Sequence, residues 1–169
     1  MGQVRFGGKH AIVVGGSISG MLTARILADH FDQVTVVERD QLPEGPDVRK
    51  GAPQARHAHG LLVRGREIME RLLPGIVAEY LEAGAVLTDL GQAAWYHHGV
   101  WKTRFKSGQM HIALSRGLME WKVRERVMAL PSSESSCPIQ TMRKDVMAML
   151  VSLLAQRIFL PDFHPPDRF

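Results

Sequence analysis

The residues best placed by type and spacing to do chemistry are Gly15-Gly16-Ser17-Ile18-Ser19-Gly20, directly after the apolar run HAIVV and at the head of a helix-compatible stretch. In that setting a glycine motif becomes a dinucleotide-binding expectation. Gly15 allows a tight turn and Gly20 a close helix–strand approach, while backbone N–H groups and the positive helix end face a pyrophosphate. Ser17 stands where a middle glycine is usual; it narrows the approach to the phosphate, and its hydroxyl offers a hydrogen bond of its own. Glu38 closes a second β-branched run. It lies within the interval of about 20 residues at which an acid accepts hydrogen bonds from an adenosine ribose and repels a 2′-phosphate. The plainer alternative is an ordinary strand–helix–strand unit with a glycine-rich turn.

The elements that must position these residues follow from periodicity. Residues 10–16 read as a strand buried on both faces of a parallel sheet, and residues 33–38 as its parallel neighbour. Between them, residues 18–31 read as a helix whose apolar positions are Ile18, Leu22, Ile26 and Leu27. Pro43, Gly45, Pro46, Gly51 and Pro53 mark residues 40–59 as a long loop, a length often functional in compact domains. Helices are expected over residues 61–73 and 76–83, separated by Pro74-Gly75. Short antiparallel strands are expected over residues 86–90, 93–97, 100–105 and 110–114. Residues 115–129 return to helix with Ser115 as N-cap. The serine run SSESS is the clear shift in composition after Leu130, and no internal repeat is present.

Composition narrows the function classes. A length of 169 residues with 45% hydrophobic and 22% charged content fits one globular domain. The formal charge of +4 is modest and its basic residues are dispersed, so neither a nucleic-acid nor a membrane partner is expected. Cys137 is the only cysteine and the N-terminus has no secretory pattern, which together suggest a cytoplasmic setting. The apolar stretch 146–154 is about half the ~20 residues of a membrane-spanning helix. His57, His59, His97 and His98 do not supply three or four ligands at compatible spacing, so no metal is expected. His97-His98 with Trp95, Tyr96 and Trp101 reads as an aromatic hairpin, half packed and half exposed. Oligomeric state is not set by any of these features.

Through VVGGSISG, VVERD and VRKGAPQARHAHGLL, residues 9–130 resemble the FAD-dependent monooxygenases of the aromatic-hydroxylase (2-polyprenyl-6-methoxyphenol hydroxylase-like) type. The resemblance implies an α/β, Rossmann-like FAD-binding domain with a parallel sheet and a small antiparallel sheet. It implies cofactor contacts at Gly15, Gly16, Ser17, Ile18, Ser19, Gly20, Glu38 and Arg39. The family's Arg-x-Gly-Val segment is here Arg49-Lys50-Gly51-Ala52, which makes Arg49 the expected cofactor-binding cation; its guanidinium fork suits a diphosphate better than a lysine would. Arg116, in Ser115-Arg116-Gly117-Leu118, matches a second cofactor-supporting arginine, with a surface ion pair as the alternative. Gln54, His57 and His59 fall in the region that approaches the flavin and substrate in related proteins, with a solvated loop pair as the alternative for the histidines. No catalytic residue is assigned, because in this family the flavin carries the oxygen chemistry while protein groups orient substrate and tune proton transfer.

The implied function is hydroxylation of a small organic substrate, aromatic or polyketide-like, using FAD, oxygen and NADH or NADPH as transient reductant. A complete enzyme of this type continues with further sheet strands, a Gly-Asp flavin segment and a substrate-covering domain, which the residues after 130 do not match. The expectation is therefore an incomplete, apparently truncated FAD-binding domain over residues 1–130. A divergent tail follows over residues 131–169, with a helix at 141–158. The alternative function is a non-catalytic remnant with weak or no flavin binding. A compact NAD-dependent dehydrogenase ranks last, since neither Tyr80 nor Tyr96 has a lysine at Tyr-x-x-x-Lys spacing.

Overall fold

The β-branched run VTVVE forms the central strand of the sheet. The computed structural model describes residues 8–49, 51–130 and 139–143. Its β2 (Val34–Glu38) is buried at every position and lies between β1 (Ala11–Val14) and β8 (Ile139–Arg143), parallel to both. Val36 sits opposite Val13 on one side and Thr141 on the other. Among the described strands β1 lies at the sheet edge, and it alternates: Ala11 and Val13 join the core, while Ile12 is 38% and Val14 69% exposed. The expectation of burial on both faces is thus corrected, because successive strand residues point to opposite faces and only one face of β1 is covered.

Helix α1 (Ile18–Leu27) connects β1 to β2 and buries Met21 and Ala24, with Ala28 just beyond its end. Ile26, expected inside, is 44% exposed. Met21, Ala24 and Ala28 also follow helical spacing, so periodicity alone does not choose between the two faces; the small side chains turn toward the sheet. Helices α2 (Val63–Leu72) and α3 (Ile76–Glu82) flank Pro74-Gly75 as expected. The Glu70 carboxylate accepts the Gly75 and Val77 N–H groups at 2.6 and 3.0 Å, capping the start of α3. Helix α4 (Arg116–Met128) starts at Ser115, whose hydroxyl accepts the Leu118 N–H at 3.1 Å, the expected cap. Fully buried Tyr80 donates its hydroxyl to the Met119 carbonyl at 3.4 Å, tying α3 to α4. Burial pushes its phenol well above the ordinary value, which suits a core strut and not an acid–base group.

The remaining strands form two antiparallel sheets. β3 (Ala58–Leu61), β7 (Met110–Ser115) and β4 (Val86–Asp89) pair in the order β3-β7-β4, with His59 opposite Leu114. β3 lies partly in what the sequence marks as loop; AHGL has no period-2 signal, and its strand character comes from the ladder with β7. β5 (Tyr96–His97) and β6 (Val100–Trp101) form a separate hairpin. Trp95, Tyr96, Val100 and Trp101 are each more than half exposed, so the hairpin stands in solvent and is not half packed. β8 corrects another expectation. Residues 141–143 belong to a parallel strand and not to a helix, and this strand lies beyond residue 130 yet pairs in register along all of β2. A free edge on the central strand supplies a ladder partner that local helical spacing does not reveal. The rest of the expected helix, residues 144–158, lies outside the described residues.

Asp89 ends β4 with a clamp on the loop that returns at Ser107. Its carboxylate accepts the Ser107 hydroxyl and the N–H groups of Gly91 (2.8 Å), Ser107 (3.2 Å) and Gly108 (2.8 Å). The Ser107 hydroxyl, followed by those backbone donors, lowers the carboxyl from 3.8 to about 2. Because the folded-state value is the lower one, the stabilisation is fully present above the unfolded value and is lost as pH falls from about 4 toward 2. Acid titration of the urea-unfolding midpoint should show that loss, and Asp89→Asn should flatten the curve in this window.

Candidate dinucleotide site

The glycine turn is held to the sheet by its backbone and closed by sterics. Gly15 has φ 103° and donates its N–H to the Val37 carbonyl at 2.8 Å. A Cβ on Gly20 would collide with the Gly15 carbonyl, so the first turn of α1 approaches the strand end as only glycine allows. Ser17 occupies the N-cap position of α1, but its side chain caps nothing, and no acidic residue lies in the first turn. Its hydroxyl instead donates to Glu120 Oε1 at 2.8 Å and accepts from Arg116 Nη2 at 3.0 Å. The amides at the start of α1 are left without a side-chain cap, an arrangement that an anion completes.

Glu38 fastens this turn to the end of β2. Its Oε2 accepts the Gly16 N–H at 2.6 Å and its Oε1 the Asp40 N–H at 2.9 Å. An ionised carboxylate offers about four acceptor positions, and these two bonds fill one on each oxygen. Arg49 returns from the long loop to the same place. Asp40 Oδ2 accepts Arg49 Nη1 at 3.0 Å and the Gly51 N–H at 2.8 Å, and Arg49 Nη1 lies 3.4 Å from Glu38 Oε2. On its other edge, Arg49 Nε donates to Glu120 Oε2 at 3.0 Å.

Helix α4 contributes the last members. Arg116 Nε donates to Glu120 Oε1 at 2.8 Å, an i,i+4 pair on one helical face. The start of α4 touches the loop, since a Cβ on Gly117 would meet the Pro46 carbonyl, and Arg124 donates to the Pro43 carbonyl. The side chains of Arg49, Glu38 and Glu120 are 8%, 7% and 7% exposed. Burial works against the charge on Arg49, but the Glu120 hydrogen bond and the charges of Glu120, Glu38 and Asp40 outweigh it and hold the guanidinium above its ordinary value. Burial likewise opposes ionisation of Glu120, and hydrogen bonds from Arg116, Ser17 and Arg49 overcome it, so its carboxyl sits below the usual range. Arg124 moves the other way, lowered by burial and by the nearby Arg49 charge.

The structure therefore brings together the glycine turn, Glu38, Arg49 and Arg116. Arg39 is 67% exposed and lies on the rim of an open cleft of about 970 Å³ that Asp40, Leu42, Val48, Arg49 and Arg56 also line. Ser19 is exposed on α1. His57 is exposed, and His59 donates from Nδ1 to the His57 carbonyl at 2.7 Å; no described bond joins either histidine to the arginine cluster. The Gln54 side chain and Lys50 lie outside the described part of the structure. Asp40 and Glu120 are members that sequence reasoning missed. Arg116-x-x-x-Glu120 was visible as an i,i+4 pair, but nothing local links it to residue 49. Among the described residues, no group of three or more His, Cys, Asp or Glu is placed to hold a metal, and no helix is long and apolar enough to cross a membrane.

Removing Arg49 would leave buried carboxylates unpaired, so Arg49→Met should cost about 3–5 kcal/mol in urea unfolding. Arg39→Ala, at an exposed position, should stay within about 0.5 kcal/mol of the parent in the same measurement. Equal losses in the two variants would refute the burial argument.

No family model matches the chain. It is similar to Protein Rv3254 of Mycobacterium tuberculosis, with 39% identity over 128 residues, 72% of this chain and 27% of that protein. Among solved structures it is similar to a mutant of 2-methyl-3-hydroxypyridine-5-carboxylic acid oxygenase, with a TM-score of 0.55, 19% identity and coverage of 79% of this chain and 31% of that one. It is also similar to the Diels-Alderase PyrE3 of the pyrroindomycin biosynthetic pathway, with a TM-score of 0.53, 17% identity and coverage of 80% and 25%. The chain thus spans between about a quarter and a third of the length of these proteins. The expected fold class, α/β with a parallel sheet and small antiparallel sheets, is the one observed and shared. A fold that carries an oxygenase in one protein and a Diels-Alderase in another does not choose the reaction.

Proposed function

We propose that this chain binds FAD through its ADP half, as the FAD-binding portion of a flavin monooxygenase acting on a small organic substrate. The observation that carries the reading is the convergence of uncapped α1 amides, Ser17, Arg49 and Arg116 on a turn where Gly20 is sterically obligatory. In this reading the amides of residues 17–20 and the two arginines hold the diphosphate. Glu38 accepts from the adenosine ribose, with Arg39 beside it at the cleft. Gln54, His57 and His59 are assigned to the flavin and substrate side. Residues 1–130 with β8 then form the cofactor-binding portion, and the segment after Arg143 is left without a role.

Bound flavin would supply the redox chemistry, taking electrons from NADH or NADPH and activating oxygen. The chain's own contribution is to bind and orient: the glycine turn admits the diphosphate backbone-first, and the near-buried Arg49 presents a fixed cation. Similarity to an oxygenase supports the monooxygenase assignment. A second reading, weak or absent flavin binding, is favoured by one feature of the same cluster. Arg49 and Arg116 are already paired with the carboxylates of Glu38, Asp40 and Glu120, so a diphosphate meets cations that are in part neutralised.

Flavin retention separates the two. After FAD reconstitution and desalting, the folded parent should keep its visible flavin absorbance. Arg49→Ala and Glu38→Ala, each compared where circular dichroism shows the variant folded, should lose at least tenfold in FAD affinity, about 1.4 kcal/mol. A parent that folds, by circular dichroism, yet keeps no flavin would establish the second reading. Oxygen-dependent oxidation of reduced nicotinamide by the reconstituted protein would then test the monooxygenase arm.

A further inference from the structure

We infer that Glu120 is the positioning residue of the dinucleotide site, gripping Arg49 and Arg116 with one carboxylate so that both present their remaining N–H groups to a diphosphate. The inference rests on the ADP-binding reading above. The two oxygens of Glu120 serve different partners. Oε2 accepts from Arg49 Nε at 3.0 Å, and Oε1 accepts from Arg116 Nε at 2.8 Å together with the Ser17 hydroxyl at 2.8 Å. Each guanidinium is then held at two nitrogens, Arg49 through Nε and Nη1 and Arg116 through Nε and Nη2. A guanidinium is a rigid planar fork of five donors, so fixing two of its nitrogens fixes the direction of the third. Among the described residues, no bond engages Nη2 of Arg49 or Nη1 of Arg116. Those are the donors left for a ligand, and Ser17 places the assembly against the start of α1.

The opposing effect is the charge of Glu120 itself, which repels a diphosphate. Contact distances decide the balance. Two guanidinium groups and a hydroxyl already meet this carboxylate at 2.8–3.0 Å, and a diphosphate would bind at the nitrogen of each guanidinium that these bonds leave unengaged. Coulomb repulsion weakens with distance and is offset by the intervening cations, so releasing two oriented donors loses more than removing one compensated charge gains.

The test is calorimetric titration of the 169-residue chain with ADP and, separately, adenosine, for the parent, Glu120→Gln and Glu120→Asp, each checked for folding by circular dichroism. Glu120→Gln removes the charge and one of the two acceptors, whereas Glu120→Asp keeps the charge but is too short to hold both arginines. Both variants are expected to bind ADP at least tenfold more weakly while adenosine affinity stays within twofold of the parent, because only the diphosphate meets the arginines. If Glu120→Gln unfolds, Glu120→Asp carries the comparison. ADP affinity equal to or tighter than the parent's would overturn the inference and make Glu120 a competing anion. Parallel loss of ADP and adenosine would overturn it in favour of a general structural role. A folded parent that binds neither ADP nor FAD would instead sink the dinucleotide reading itself, a separate outcome from either of these.

Discussion

The buried guanidinium of Arg49 ties together three parts of the chain through one charged group. Through Asp40 it closes the loop that leaves β2, through Glu38 it reaches the glycine turn, and through Glu120 it reaches α4, 71 residues further along. A charge this enclosed persists only if it is paired and hydrogen-bonded, since desolvation alone would disfavour it. Three carboxylates satisfy that requirement, and each is anchored in turn: Glu38 on the Gly16 amide, Asp40 on the Gly51 amide, Glu120 on Arg116 and Ser17.

This constraint explains why the loop over residues 40–49 has a defined course despite its proline and glycine content. Arg124 on the Pro43 carbonyl and the close approach of Gly117 to Pro46 press the loop onto α4, and Asp40 folds its far end back onto Gly51. The side of the sheet that carries Ala11 and Val13 is packed against α1. The polar cluster sits at the strand ends, where β1 and β2 hand over to the turn and the loop. That is where ligands bind in open α/β sheets, outside the carboxyl ends of the strands.

On the proposed reading, stability and recognition draw on the same groups. Arg49 and Arg116 are internally paired, which makes the site rigid before any ligand arrives, and pre-organisation lowers the ordering cost of binding. The opposing consequence is partial neutralisation, because carboxylates that fix the arginines also compete with an incoming anion. In each guanidinium two nitrogens serve the fold, and among the described residues no bond engages the third.

The amino-acid sequence alone marked the strand–turn–helix–strand unit, the identity of the glycine turn, Glu38 at the end of β2, and Ser115 as the cap of α4. All of these depend on neighbours within a few residues, where periodicity, capping and backbone sterics act. It also singled out Arg49 and Arg116, through resemblance, without showing that they share a partner. Contacts between distant residues set the rest: Glu120 joins the two arginines, Asp40 folds the loop back, β3 becomes a strand on β7, and residues 139–143 extend the sheet along β2 instead of entering a helix. The same holds for β1, whose apolar run reads as doubly buried until the covering of only one of its faces leaves Ile12 and Val14 open. In each case the deciding energy is a contact between residues far apart in the chain, a ladder bond, a buried ion pair or a covered face, and local pattern carries no record of which distant group will supply it.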